Sequence, residues 1–210
     1  MGTSKRKSSE KIKKLLLEGD RQDIQKVIPQ VTSEVLTNKR ITKELEKDQL
    51  RVLIKTAVGS IGGLRAGGFG GFIYEEVLGD PLTLTQCIEK ILELAEGEFE
   101  GEFSELLLQA FRMALAWTIN EEKEINQFLI EFCSNLIFLI VQEEAIEAIS
   151  DIYIEVSHEQ INGLIKRQAK RIVNEELAAT INEYMQQRLS LKELVSTIVE
   201  RAEKVEFGEF

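Results

Sequence analysis

Between Val58 and Ile73 the chain reads Val-Gly-Ser-Ile-Gly-Gly-Leu-Arg-Ala-Gly-Gly-Phe-Gly-Gly-Phe-Ile, with Gly59, Gly63, Gly67 and Gly71 at every fourth position. Gly62, Ala66 and Gly70 form a second row beside them. Written as a helix, these seven positions make a face of bare backbone, while Ile61, Leu64, Phe69, Phe72 and Ile73 point in other directions. Such a glycine zipper lets another helix approach closely, as in small-xxx-small packing. Glycine costs about 1 kcal/mol against alanine in a helix interior, so the glycines of this window oppose an isolated helix by about 7 kcal/mol. A second helix, another copy of the chain or a low-dielectric environment has to compensate. Otherwise the segment is not helical but a structural loop or a hinge, such as a glycine-rich anion cradle with Arg65 as the candidate anion contact.

Arg65 is the only charge between Ala57 and Tyr74, a stretch of 18 residues. That length is marginal for a bilayer span, and so much glycine partitions weakly. The four-residue spacing points to helical packing rather than to a membrane.

The rest of the chain reads as all-α. It holds 210 residues with only two prolines, no Asn-Gly pair and apolar residues at helical spacing almost throughout. The expected architecture is a single bundle of about seven to nine helices. Residues 1–8 form a disordered basic tail, 9–40 short N-terminal helices, 41–205 the bundle core and 206–210 a C-terminal tail. In the N-terminal part, a helix with Ile12, Leu15 and Leu16 ends near Gly19, Asp20 caps the next, and Pro29 breaks or restarts it because it lacks an amide donor, leaving a second piece that runs to about Asn38. A helix from Thr42 carries Leu50, Leu53, Ile54, Ala57, Val58 and Ile61 into the glycines. Gly79-Asp80-Pro81 stops the chain, and Thr83 or Thr85 caps a helix ending at Gly97. Gly-Glu-Phe occurs at Gly97 and Gly101 and again as Gly208-Glu209-Phe210; the phenylalanines of the first two copies read as anchors of a loosened connection.

A helix from Ser104 to about Ile119 is apolar over most of its circumference, and Asn120 caps the central core helix that follows. The run Leu136 to Val141 is too short to span a bilayer, and Glu131 and Asn135 interrupt a longer window. Ser157-His158-Glu159-Gln160 and Ser190-Leu191-Lys192-Glu193 both fit capping boxes, the first opening a long helix that reaches Met185.

Charge is placed unevenly. Residues 1–55 hold 14 Lys/Arg and 8 Asp/Glu, while the remainder holds 12 and 28, so a basic arm precedes an acidic body within a net charge of −10. Lys5, Arg6, Lys7, Lys11, Lys13 and Lys14 are the candidate contacts to an acidic surface. They either meet a phosphate-bearing or acidic partner or fold back on the chain itself. The acidic body argues against specific nucleic-acid binding.

Chemistry is sparse. His158 is the one histidine, Val58 stands where a Gly-x-Ser-x-Gly elbow needs its first glycine, and neither a Walker loop nor Cys-x-x-Cys occurs. Glu155-Val156-Ser157-His158, with Asp151 a turn earlier, is a single Glu-x-x-His, whereas a helical di-metal site takes two copies on facing helices. Paired acids such as Glu121/Glu122, Glu143/Glu144 and Glu175/Glu176 are expected as solvated faces. Cys87 and Cys133 read as small core hydrophobes. Met1-Gly2 resembles a myristoylation start, but Arg6 replaces the required Ser or Thr, and no signal peptide follows. No catalytic residue, metal site, cofactor or small-molecule substrate is inferred.

These patterns point to a non-enzymatic, cytoplasmic adaptor or regulator that holds a protein partner, or another copy of itself, through its acidic surface and glycine face. The alternative is a membrane-active or membrane-associated protein using residues 57–74, and a weaker one is nucleic-acid contact through the basic N-terminus.

Overall fold

A computed structural model of the chain describes residues 10–17, 23–45, 49–173 and 175–204, without the side chains of Glu175 and Glu176. Gly19, Asp20, the basic tail over 1–8, the tail over 206–210 and the third Gly-Glu-Phe lie outside the described residues. Among the described residues all regular structure is helical, in eleven helices rather than seven to nine: α1 (10–17), α2 (Ile24–Val35), α3 (Asn38–Glu44), α4 (Gln49–Ala66), α5 (Tyr74–Gly79), α6 (Pro81–Glu98), α7 (Glu105–Asn120), α8 (Ile125–Ile152), α9 (His158–Ile172), α10 (Glu175–Met185) and α11 (Leu191–Lys204).

The larger count comes from two divided segments and from α5, a short helix between the glycines and Asp80 that the sequence pattern does not announce. The helix expected from Thr42 becomes α3 and α4. The one expected from His158 to Met185 closes at Val173, whose N–H bonds to the Ala169 carbonyl, while Arg201 Nε donates to the freed Ile172 carbonyl at 2.7 Å. Pro29 does the opposite of what its missing donor implied: α2 runs through it. Proline costs about 3 kcal/mol in a helix interior. Burial of Val27, Ile28, Pro29, Val31 and Val35 on the face that packs against α9 and α11 offsets that cost.

Caps follow local chemistry. Asp23 caps α2 through the Gln25 amide, and Asp80, not Thr83 or Thr85, caps α6 by accepting from the Thr83 amide at 2.9 Å and its hydroxyl at 2.5 Å. These bonds to Thr83 hold the Asp80 carboxyl below its usual pKa. Ser104 caps α7, and Asn120 ends that helix instead of opening the next. Both expected capping boxes are present: Ser157 with Gln160 before α9, and Ser190 with Glu193 before α11.

The helices gather into two compact units, where one core was expected. The first comprises residues 1–43 and 137–210, the second Glu44–Leu136, and α8 contributes residues to each. In the second, α6 packs on α4, α5 and α7, and fully buried Phe111, Phe128 and Phe132 form a cluster with ring centroids 5.9 Å apart. In the first, α2 packs against α9 and α11, so the N-terminal helices are built into the same unit as the C-terminal ones.

Counted over their sequences, the first unit holds 19 Lys/Arg and 19 Asp/Glu, and the second holds 7 and 17. The entire net charge of −10 therefore belongs to Glu44–Leu136. Inside the first unit, residues 1–43 carry +6 and residues 137–210 carry −6. Lys13 pairs with Asp151 at 2.6 Å, and Arg40 reaches Glu143 at 2.6 Å and Glu144 at 3.2 Å. Arg40 is only 13% exposed, so this bond set is weakly screened. Arg40→Ala should lower the unfolding free energy by about 2 kcal/mol, as expected for charge-assisted bonds lost in a half-buried site. Thermal denaturation with Arg40→Lys as the partial control checks this.

Candidate functional site

The glycine segment is two structures, not one zipper. Gly59, Gly62, Gly63 and Ala66 lie on α4, which ends at Ala66. Gly67, Gly68, Gly70 and Gly71 then have φ of +149°, +133°, +59° and +93°. Side chains with a Cβ avoid these values, so the chain leaves the helix where glycine makes leaving easy. The Gly68 amide bonds back to the Gly63 carbonyl at 3.1 Å, closing the helix end. Phe69 and Phe72 exchange N–H to carbonyl bonds, both 2.9 Å, around Gly70-Gly71. Positive φ at both central residues is the requirement of a type I′ turn, and Gly-Gly between two aromatics is the pattern that announces it. Asn-Gly was not the only pair able to make that turn. The single helical face through Gly59, Gly63, Gly67 and Gly71 is thus interrupted after Ala66, and the helical glycine cost falls to about 3 kcal/mol for the three glycines within α4.

Both ends of α4 are tied to α7. At the start, the Gln49 amide donates to the Glu102 carbonyl at 3.1 Å and accepts from the Ser104 N–H at 3.4 Å, while the Ser104 hydroxyl donates to the Glu44 carboxylate. At the finish, Arg65 Nη2 donates to the Lys123 carbonyl at 2.5 Å in the loop after α7. Start meets start and end meets end, so α4 and α7 run parallel. This bond gives Arg65 a structural partner where an anion contact was expected.

Against α6, α4 runs antiparallel. Lys55 pairs with Glu98 at 3.7 Å, and beyond the end of α4 a Cβ at Gly70 would sit 3.3 Å from Lys90 Cγ. On the solvent side, Lys55, Gly59, Gly62 and Ala66 make one exposed row of α4, with Val58 beside it at 44% exposure. Lys90, Leu94 and Glu98 make the matching exposed row of α6, with Leu94 at 42%. Leu94 is one turn from Glu98 and Gly59 one turn from Lys55, which sets them at the same level of the seam. Nothing lies within 4 Å of a Cβ built at Gly59 or Gly62. This exposed stretch of glycine backbone on α4, with Val58 beside it, is the candidate site.

The other candidates disperse. Lys11 and Lys13 pair with Glu34 and Asp151 inside the first unit, Lys14 is on α1 and also engaged, and Lys5, Arg6 and Lys7 lie outside the described residues. Glu155 is in the turn before α9 and His158 opens that helix, so the two do not share a helical face. Among the described residues no group of three or more His, Cys, Asp or Glu is placed to hold a metal ion. Phe99 and Phe103 stack on each other at 4.6 Å, half-buried in the loop between α6 and α7. Helix α8, with 28 residues, is the one described helix long and apolar enough to cross a membrane; 72% of its most apolar window is buried within the protein. Cys87 and Cys133 are free and buried. Desolvation raises both thiol pKa values, that of Cys133 to about 12, so neither is a thiolate nucleophile near neutral pH.

No family model, curated protein or solved structure matches the chain.

Alanine substitutions should separate the two halves of the glycine segment. Gly59→Ala and Gly62→Ala should each raise stability by about 1 kcal/mol, since the new methyl meets open space in a helix. Gly68→Ala places its Cβ 2.9 Å from the Phe72 carbonyl oxygen at a positive φ and should cost about 2 kcal/mol or more. Denaturant unfolding measures both signs. In the native protein at mildly alkaline pH, both thiols should resist an aromatic disulfide reagent, then react fully once denatured.

Proposed function

We propose that this chain is a non-enzymatic, cytoplasmic interaction protein, an adaptor or regulator that holds a protein partner through the open glycine face of α4. One observation carries the reading: Gly59 and Gly62 lie exposed within a helix, with nothing within 4 Å of either Cβ position. Each weakens α4 by about 1 kcal/mol relative to alanine, without a packing contact inside the fold to account for it. Close approach of another backbone is the physical use of such a row, because glycine lets helix axes come nearer than any larger residue allows. Val58 beside the row supplies an apolar flank that would make the approach favourable.

Charge decides between the partner types. Another copy of Glu44–Leu136 brings the same −10, so self-association through this face works against like-charge repulsion. A different protein is favoured. The membrane-active alternative needs residues 67–73 to abandon their turn and extend α4 as a helix, restoring the glycine cost that the turn removes. Flotation with anionic and neutral vesicles separates that reading from this one.

A photo-crosslinking side chain placed at residue 59 or 62 tests the proposal. Both positions should crosslink to one defined protein, identified by mass spectrometry, well above the same probe at exposed Glu159 on α9. Crosslinking no greater than at that control, together with a strict monomer by light scattering, would remove the glycine-face reading.

A further inference from the structure

Helix α2 carries two defects where it is seated on the first unit. Pro29 lies inside the helix, so the Gln25 carbonyl loses the amide that would bond it and meets the proline ring instead. The chain's other proline, Pro81, opens α6, where no such donor is required. One turn on, Thr32 is 1% exposed on the buried face of α2, and its hydroxyl has no hydrogen-bond partner. Helix α9, against which α2 packs, adds a third: Gln168 is 3% exposed on its buried face and the side-chain Nε2 is unpartnered. Buried polar groups left in this way favour any state that returns them to water. Thr56 and Thr118 in the second unit also lack partners, but on helices without an internal proline.

The ion pairs along this segment differ in strength. Lys11 pairs with Glu34, which joins α1 to α2. Lys13 reaches Asp151 through side chains that are both exposed, a pair that solvent weakens. Arg40 on α3, by contrast, is largely buried and bonds both Glu143 and Glu144. Between the weak pair and the firm one lies Leu36-Thr37, where α2 ends and α3 has yet to begin. The helices against which α2 packs have apolar buried faces, with Ile161 and Ile165 on α9 and Leu194 and Ile198 on α11. Burial of Val27, Ile28, Val31 and Val35 keeps α2 seated, and the defects set how often it leaves.

We propose that α2, carrying α1 with it, is a strap that lifts about Leu36-Thr37 while Arg40 holds α3 in place, uncovering the apolar faces of α9 and α11. In the closed state the chain fills this helix-receiving surface with its own helix, so the strap is an internal competitor for any amphipathic helix that would dock there. The device stands apart from the glycine face, which belongs to the other unit.

Hydrogen exchange of the full chain, read by mass spectrometry, tests the opening. Amides of α2 should exchange at least about a hundredfold faster than those of α9, because the strap opens without its unit. Thr32→Val keeps the side-chain shape and removes the unpartnered hydroxyl, so it should slow exchange of α2 by about tenfold while α9 and Glu44–Leu136 keep their rates. Gln168→Met, of similar length, should act in the same direction. Exchange of α2 at the rate of α9, or no slowing by either variant, would overturn the strap. The competitor role is read with a labelled peptide of residues 23–36. Val31→Ser, which loosens the strap, should bind that peptide at least about tenfold more tightly than the unaltered chain, with exchange of α8 unchanged as proof of folding. Equal binding to both chains, or binding to neither, would overturn that role.

Discussion

The second unit depends on a run of backbone angles that only glycine adopts freely. From Gly67 to Gly71 the chain needs positive φ at four positions within five residues, first to leave α4 and then to close the turn between Phe69 and Phe72. Because α4 stops at Ala66, Arg65 falls in its last turn, within reach of the Lys123 carbonyl. Because the turn is tight, it rests on Lys90 of α6 and leads straight into α5, which also packs on α6. The antiparallel packing of α4 with α6 follows from where those glycines bend the chain, and the connection over 99–104 then brings α7 back parallel to α4. What is left open is the outer side of α4, where Gly59 and Gly62 serve no turn and a Cβ at either would meet open space.

Charge gains a different meaning once the units are known. Along the sequence, a basic beginning is followed by an acidic remainder. In the fold, that basic beginning is balanced within its own unit: +6 over residues 1–43 against −6 over residues 137–210, joined by Lys13–Asp151 and the half-buried Arg40 pairs. The imbalance moves to the unit that bears the open glycine face. A linear charge count cannot find this, because residues 44–136 are inserted between the two segments that neutralise each other.

Local features were legible. The capping boxes at Ser157 and Ser190 are legible because the groups that satisfy them lie three residues away, whatever the rest of the chain does. The burial of Cys87, Cys133, Phe111, Phe128 and Phe132 follows from apolar spacing, whereas Trp117 on the same apolar helix is only half-buried. Pro29 misled, because the penalty for a missing donor is local but the apolar burial that offsets it comes from α9 and α11, far along the chain. The division of α3 from α4 and of α9 from α10 was hidden for a similar reason: helical spacing continues through the breaks, and contacts such as Arg201 with the Ile172 carbonyl set the ends.

The glycine segment shows where the limit lies. Sequence alone determined that residues 58–73 could not be an ordinary isolated helix, since glycine's conformational freedom makes such a helix costly in any fold. It also determined an all-helical chain and the capped ends of its later helices, because hydrogen-bond donors, acceptors and apolar periodicity act over a few residues. Only the tertiary structure decided that Gly67, Gly68, Gly70 and Gly71 make a turn while Gly59, Gly62 and Gly63 stay helical, and that Arg65 bonds a carbonyl. Glycine permits both conformations at nearly equal local energy, so the choice falls to the neighbours: Lys90 beneath the turn, the loop after α7 beside Arg65, and open solvent over Gly59 and Gly62.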